Sequence, residues 1–491
     1  MKKLIYGGIA LPLMAASFTS CSPSPEESRK PNIIFILSDD LNWGDLGCYG
    51  QEKIKTPNID RIAGEGIRFM NAYAGSAVCA PARSTLMQGL HSGHARVRDN
   101  MFQRYRESLQ PGDYTVAMLL KEAGYTNGLF GKWGLALHDQ PGIPNNMGFD
   151  EFFGYLNQQQ AHCFYPEFLY HNQERIYYPE NGEFHKIENY RSDIPYDSEG
   201  RCLPPGIANP REAKYSFDEC AKRSLEFVKK NKDNPFFLYL AYTIPHGQCI
   251  VPELGEYLDT GWPVRAKEYA AMVTRMDREV GKLMDLLKQL HIDENTILFF
   301  ASDNGVTNIP MAEYFSSFSP TRGGKGNIYN GAFNVPAMIR WPGTIAPGQV
   351  SDHIWAFWDF MPTVAELIGR TPPGETDGIS LLPLLTGKGE QKNHEYLYWE
   401  FQQDQAVRYG NWYGLRPSGG SIELYNLEAD PGQTLNLAEQ NPEVVAKIAR
   451  LMEESHTPSD VYPSPGESKE AFALRLSLSN VPPRPENVSL Y

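Results

Sequence analysis

Three stretches of this chain run apolar without a break and then meet a polar group. Residues 32–37 (NIIFIL) stop at Ser38, Asp39 and Asp40; residues 235–242 (PFFLYLAY) lead to Pro245 and His246; residues 296–301 (TILFFA) stop at Ser302, Asp303, Asn304 and Gly305. Runs of this length without polar alternation read as strands buried on both faces of a helix-covered sheet. A shorter run, 126–130, ends the same way at Gly131, Lys132 and Trp133. Helical segments fall between the runs, at 114–123, 215–230 and 267–290. The last places Val273, Met276, Val280, Leu283, Leu287 and Leu290 near one face. The pattern predicts an α/β fold. In an open α/β sheet the carboxyl ends of the strands line one edge, where ligands bind. Asp39, Asp40, Lys132, His246, Asp303 and Asn304 all follow predicted strands, so the topology draws them into one crevice.

The chain is long enough, at 491 residues, for one large domain and a smaller one, and 41% apolar residues supply a core. A net charge of -14 argues against nucleic acid as a partner and makes any local cluster of lysine and arginine worth finding. Residues 1–20 read as an export signal: Lys2 and Lys3 precede a short apolar region, 4–16, too short to span a bilayer. Phe18-Thr19-Ser20-Cys21 resembles a bacterial lipobox, with Cys21 as the lipid-bearing residue and 21–30 as a polar tether; an ordinary cleaved signal is the alternative. Residues 31–390 form the expected catalytic domain, with 170–212 read as a long loop region. Composition shifts near Lys388. Short strands at 396–400, 406–409, 412–416 and 423–427 and a helix at 442–454 predict a small C-terminal subdomain, 391–491, whose Pro-rich tail from Thr457 wraps the surface.

Two adjacent carboxylates behind a buried strand are costly unless something compensates them. A hard cation taking oxygen ligands would do so for Asp39 and Asp40; a solvated turn is the alternative. Residues 84–90 read as a helix with Pro81 suited to its first turn, which sets Cys79 at a helix N-terminus where free amides favour an anion, with Arg83 about one turn on. Seven cysteines are present. Setting aside Cys21 and Cys79 leaves an odd number with no zinc-ligand spacing, and Cys202 with Cys220 is the one pairing considered.

Cys79-Ala80-Pro81-Ala82-Arg83, continuing through Leu86 to Gly89, resembles the C-x-P-A-R-x-x-L-x-x-G signature of the type I sulfatases. The resemblance extends through Asp39-Asp40, Gly131-Lys132-Trp133, Pro245-His246, Asp303-Asn304-Gly305 and the segment 322–336 around Lys325, and spans roughly residues 30 to 440. It implies an alkaline-phosphatase-like sandwich: a large mixed, mostly parallel sheet flanked by helices, plus a small α+β subdomain with an antiparallel sheet. It implies that Cys79 is oxidised to formylglycine by a maturation enzyme, and that the hydrated aldehyde attacks a sulfate ester. One Ca²⁺ would be held by Asp39, Asp40, Asp303, Asn304 and residue 79, with Mg²⁺ the alternative. Arg83, Lys132 and Lys325 would stabilise the sulfuryl group, and His246 would protonate the leaving oxygen. The expected substrate is a sulfated saccharide, with galactose or N-acetylgalactosamine preferred. The expected location is the periplasm or the outer membrane, with membrane contact only through the N-terminal lipid.

The chain departs from the family text in two places. Gly134 stands where the usual G-K-W-H-L-G has histidine, as in a glycine-variant branch of carbohydrate sulfatases. His162 is the candidate to supply the missing imidazole or to bind substrate, and His138 is a weaker one. Asn330, Ala332 and Asn334 also differ, beside Lys325, where they could tune the sugar. Two alternatives remain open at this point. One is a phosphodiester or phosphonate monoester hydrolase of the same fold; the other is a catalytically decayed glycan-binding lipoprotein.

Overall fold

A computed structural model describes residues 30–100, 107–182, 196–203, 211–247, 249–307, 310–317 and 320–478, with Met1, Leu4 and Ile207. The rest of the signal, Cys21 and the tether up to residue 29 lie outside the described residues.

The large sheet has ten strands: β1 (Asn32–Ser38), β2 (Ile67–Phe69), β4 (Thr126–Lys132), β5 (Glu151–Tyr155), β6 (Phe168–His171), β7 (Glu174–Tyr177), β8 (Phe236–Ala241), β9 (Thr296–Ser302), β10 (Ala337–Arg340) and β11 (Gln349–Ser351). Their order is β11-β2-β10-β9-β1-β8-β4-β5-β6-β7. The central strands β9, β1, β8, β4 and β5 are parallel, while β10, β6 and β7 run against their neighbours. A small parallel pair, β3 (Ala72–Tyr73) and β12 (Trp355–Ala356), lies apart.

The unbroken apolar runs are explained by the two cores they fill. Ile34 and Ile36 of β1, with Leu238, Leu240, Leu298 and Phe300, pack under α1 (Pro57–Gly64), α4 (Ser216–Asn231) and α5 (Val264–Gln289). Ile33, Phe35 and Leu37, with Phe237, Tyr239 and Phe299, face α2 (Cys79–Gln88), α3 (Val116–Glu122) and α7 (Phe360–Leu367). Each strand thus buries both of its faces. Short helix α6 (Pro310–Tyr314) joins the first layer and α8 (Leu382–Thr386) the second.

The C-terminal sheet is antiparallel, β13 (Leu397–Phe401), β14 (Asp404–Tyr409), β15 (Trp412–Arg416) and β16 (Glu423–Asn426), as expected. One face presents Trp399, Tyr413 and Tyr425 to Tyr73, Phe333 and Trp358; the other packs Tyr398, Val407 and Leu424 on α9 (Pro442–Glu454). The tail is not only a wrap: α10 (Lys469–Leu478) forms within it. Nor is 170–212 loop from its start, because β6 and β7 form a hairpin that widens the sheet. Cys202 and Cys220 are both buried and free, so the considered disulfide is not formed. Among the described residues no helix is long and apolar enough to cross a membrane.

Candidate active site

The predicted crevice forms at the carboxyl edge of β9, β1, β8 and β4. The turn after β1 separates its two carboxylates. Asp40 sits at φ +62, a left-handed conformation that Asp tolerates better than most residues. Asp39 accepts from Lys132 Nζ at 2.7 Å, and Cys79 Sγ lies 3.5 Å from its other oxygen. Asp40 accepts from Lys325 Nζ at 2.8 and 2.9 Å, from Asn304 Nδ2 at 2.7 Å and from Thr307 Oγ1 at 2.5 Å. Asp303 accepts from Arg83 Nη2 at 2.8 Å and from the Asp40 amide at 3.3 Å. His246 Nε2 lies 3.1 Å from Lys325 Nζ and 3.6 Å from Asp40. Ligand-capable atoms of Asp39, Asp40, Cys79 and His246 all fall within 4.8 Å of one another. Three buried carboxylates thus meet three cations, Arg83, Lys132 and Lys325, which offset the cost of burying them.

These charges set the protonation states. Burial opposes ionisation of Asp39, but Lys132, His246, Lys325 and Arg83 outweigh it and hold the carboxyl well below its usual range. Asp40 is lowered in the same way, against burial, chiefly by Lys325 and His246. Asp303 is pushed up to about 6 by burial and by Asp39. Burial, with Asp39, pushes the Cys79 thiol up to about 12, so the unmodified side chain is not a thiolate at neutral pH. His246 falls to about 4 through burial and Lys325.

Helix α2 starts at Cys79 itself and ends at Gly89, whose φ of +69 closes it, so the expected helix was placed too late. Of the first four positions of the helix, two have their amides taken and one has none. Ala80 donates to Asn100 Oδ1 at 2.8 Å, Pro81 has no N–H, and Ala82 donates to the Val78 carbonyl at 3.2 Å. Arg83 is fully buried and committed: besides Asp303, its Nη1 donates to the Lys132 carbonyl at 2.7 Å.

His162 joins the cluster. Its ring stacks on His246 with centroids 3.8 Å apart, and its Nε2 is buried with no hydrogen-bond partner among the described residues. Burial and His246 keep it well below the ordinary histidine range. His138 instead stacks on Tyr170, its ring 43% exposed, and takes no part in the cluster. The substitutions near Lys325 do not line the crevice. Asn330 Oδ1 accepts from the Tyr73 hydroxyl at 3.2 Å and Asn334 Nδ2 donates to the Ala72 carbonyl at 3.1 Å, so both brace β3. Thr307, which donates to Asp40, Asn100, which accepts from the Ala80 amide, and Gln158, which donates to the Asn100 carbonyl at 2.6 Å, were missed by the sequence reading. A hydroxyl four residues past Asp303 is the only signal for the first, and none exists for the others.

A family model described as Sulfatase matches residues 31–370. The chain belongs to the sulfatase family. A second model, N-sulphoglucosamine sulphohydrolase, C-terminal, matches residues 324–457. Human N-acetylgalactosamine-6-sulfatase is 32% identical over 464 residues, 86% of this chain and 84% of that protein. The N-acetylgalactosamine-6-O-sulfatase of Bacteroides thetaiotaomicron is 27% identical over 525 residues, covering 91% and 98%. The solved structure of Ps i-CgsB in complex with k-i-k-neocarrahexaose is 26% identical with a TM-score of 0.72, covering 92% and 98%. This sulfatase is a sulfuric ester hydrolase, so the non-catalytic alternative is set aside.

Proposed function

We propose that this sulfatase removes sulfate from a carbohydrate, with residue 79 acting as formylglycine made from Cys79 and with one Ca²⁺ held by Asp39, Asp40, Asp303 and Asn304. The observation that carries the reading is the placement of Cys79. It is fully buried at the first position of α2, 3.5 Å from Asp39, among three carboxylates and the cations that neutralise them.

The residues present suit a hard cation. All four donors offer oxygen, and Asn304 Oδ1 is buried without a hydrogen-bond partner among the described residues. Bound Ca²⁺ supplies positive charge for the sulfate and the attacking hydroxyl. The hydrated aldehyde of formylglycine supplies that hydroxyl. Arg83 locks Asp303 and the Lys132 carbonyl in place, and Lys132 and Lys325 hold positive charge against the sulfuryl group. Lys325 and His246, 3.1 Å apart, hold the proton that the departing sugar oxygen needs. His162, beside His246, contacts the sugar.

The names of the relatives favour a galactose-configured 6-sulfate, above all N-acetylgalactosamine 6-sulfate. Sulfate release over a panel of sulfated saccharides, with a steroid sulfate for comparison, tests the reading. Peptide mass spectrometry of residue 79 accompanies it. Release from the steroid but from no saccharide, or unmodified cysteine in fully active enzyme, overturns it. Export through residues 1–20 and lipidation at Cys21 place the enzyme in the periplasm or on the outer membrane. Loss of fatty-acid labelling in Cys21→Ala checks this.

A further inference from the structure

Helix α2 carries residue 79 on its first turn, yet its cap residue, Val78, has no side chain that can accept a hydrogen bond. The Ala80 amide is taken instead by Asn100 Oδ1, at 2.8 Å, from a segment twenty residues on. Asn100 is held at both ends of its own backbone. Its N–H donates to Asp99 Oδ1 at 2.7 Å, and its carbonyl accepts from Gln158 Nε2 at 2.6 Å. Gln158 in turn lies against Gly134, where a β-carbon would stand 3.5 Å from Gln158 Cβ and 3.7 Å from Arg83 Cδ. A continuous line therefore runs from Gly134 through Gln158 and Asn100 to the amide beside residue 79.

We propose that Asn100, braced by Gln158, is a positioning residue that fixes the first turn of α2 and with it the reactive atom of residue 79. The kinetic consequence rests on the formylglycine reading; the structural one does not. An uncapped helix start leaves its amides unpaired and frays within the first turn. Attack on sulfur is sensitive to displacements of this kind, whereas the proposed sulfate contacts, Lys132 and Lys325, come from other segments, the end of β4 and the loop before β10. Loss of the cap therefore lowers kcat and spares KM.

The test compares wild type, Asn100→Ala, Asn100→Asp and Gln158→Ala, with turnover of an aryl sulfate normalised to formylglycine content by mass spectrometry. In Asn100→Ala, kcat falls about fivefold, the loss of one typical cap, with KM within about twofold. Asn100→Asp keeps the accepting oxygen and recovers kcat, and Gln158→Ala loses less than Asn100→Ala. A second arm uses the cysteine form, made without the maturation enzyme. There the Ala80 amide exchanges hydrogen about tenfold faster in Asn100→Ala, while amides of α5 keep their protection and report an intact fold. A kcat close to wild type, a loss confined to KM, or unaltered Ala80 exchange overturns the proposal. Active wild type without formylglycine instead overturns the reading of residue 79, and the exchange arm alone then decides on Asn100.

Discussion

Gly134 shows how one backbone angle limits what a site can carry. The usual histidine is missing there, but space is not what excludes it, since a β-carbon would meet nothing closer than 3.5 Å. The obstacle is a φ of +81, a conformation that costs an L-residue about 1–2 kcal/mol. Gly134→Ala therefore lowers Tm by roughly 1–2 °C in thermal unfolding. Gly134→His carries the same penalty and gains no activity, because its ring is launched from a backbone not built for it; a gain in sulfate release would show otherwise. His162 is a different case, with a ring already stacked on His246 and an unpartnered nitrogen. His162→Ala raises KM for the saccharide and leaves small aryl sulfates nearly untouched, a split read from paired kinetics. For the cation, exhaustive chelation abolishes sulfate release and Ca²⁺ restores it. Asn304→Ala then needs roughly tenfold more Ca²⁺ for half restoration, since it removes one of the proposed oxygen ligands. Activity indifferent to chelation counts against the site.

At the level of elements, legibility followed burial. β1, β8 and β9 were readable because both faces are covered, which leaves no polar residue to break the run. Asp39, Asp40, His246, Asp303 and Asn304 were readable with them, as polar groups at the strand ends. The β6–β7 hairpin was not. Its strands are four residues each; Phe168, Leu169 and Tyr170 of β6 are buried, but Glu174 and Arg175 of β7 are exposed, with Arg175 lying 4.6 Å over the Phe168 ring. Such pairing has no periodicity to read. The start of α2 was misplaced because Pro81 stands third in the helix, where its missing N–H still costs no intrahelical bond, and because the Ala80 amide is held by Asn100, far along the chain. Within β4 a glycine does what no pattern reveals. Gly131 has φ +120, and a β-carbon there would stand 2.0 Å from the Ala241 carbonyl oxygen of β8. Gly131→Ala therefore forces apart the two strands beside Lys132, at a cost of about 3 kcal/mol or more. The expected result is a large drop in Tm or insoluble protein; a variant as stable as wild type would show that β4 can shift freely.

Across the whole molecule, the catalytic sheet and the C-terminal sheet are joined by a polar seam. Trp399 Nε1 donates to the Ala74 carbonyl at 2.9 Å, Arg98 pairs with Glu400 at 2.7 Å, and the Tyr413 hydroxyl donates to the Ile328 carbonyl at 2.8 Å, behind the Lys325 loop. His91 is buried in this seam. Its Nδ1 accepts from the Gly93 amide at 3.2 Å, and its ring stacks on His94 and meets the edges of Trp358 and Tyr398. Burial lowers its pKa to about 4; Asp377 and Glu400 oppose this, while His94 and Arg98 add to it. The unfolded chain therefore binds a proton on His91 between about pH 6.5 and 4 that the folded chain does not. Stability contributed by neutral His91 is present above pH 6.5 and is lost as pH falls through that window, by up to about 3 kcal/mol. Asp45 and Asp277, both raised to about 6 by burial, act with the opposite sign over much of the same range, so the slope of the wild type alone does not isolate His91. The difference does. His91→Gln keeps an acceptor for Gly93 but cannot protonate, so between pH 7.5 and 5 its Tm falls less than that of wild type. Two parallel curves would place the acid sensitivity of this seam elsewhere.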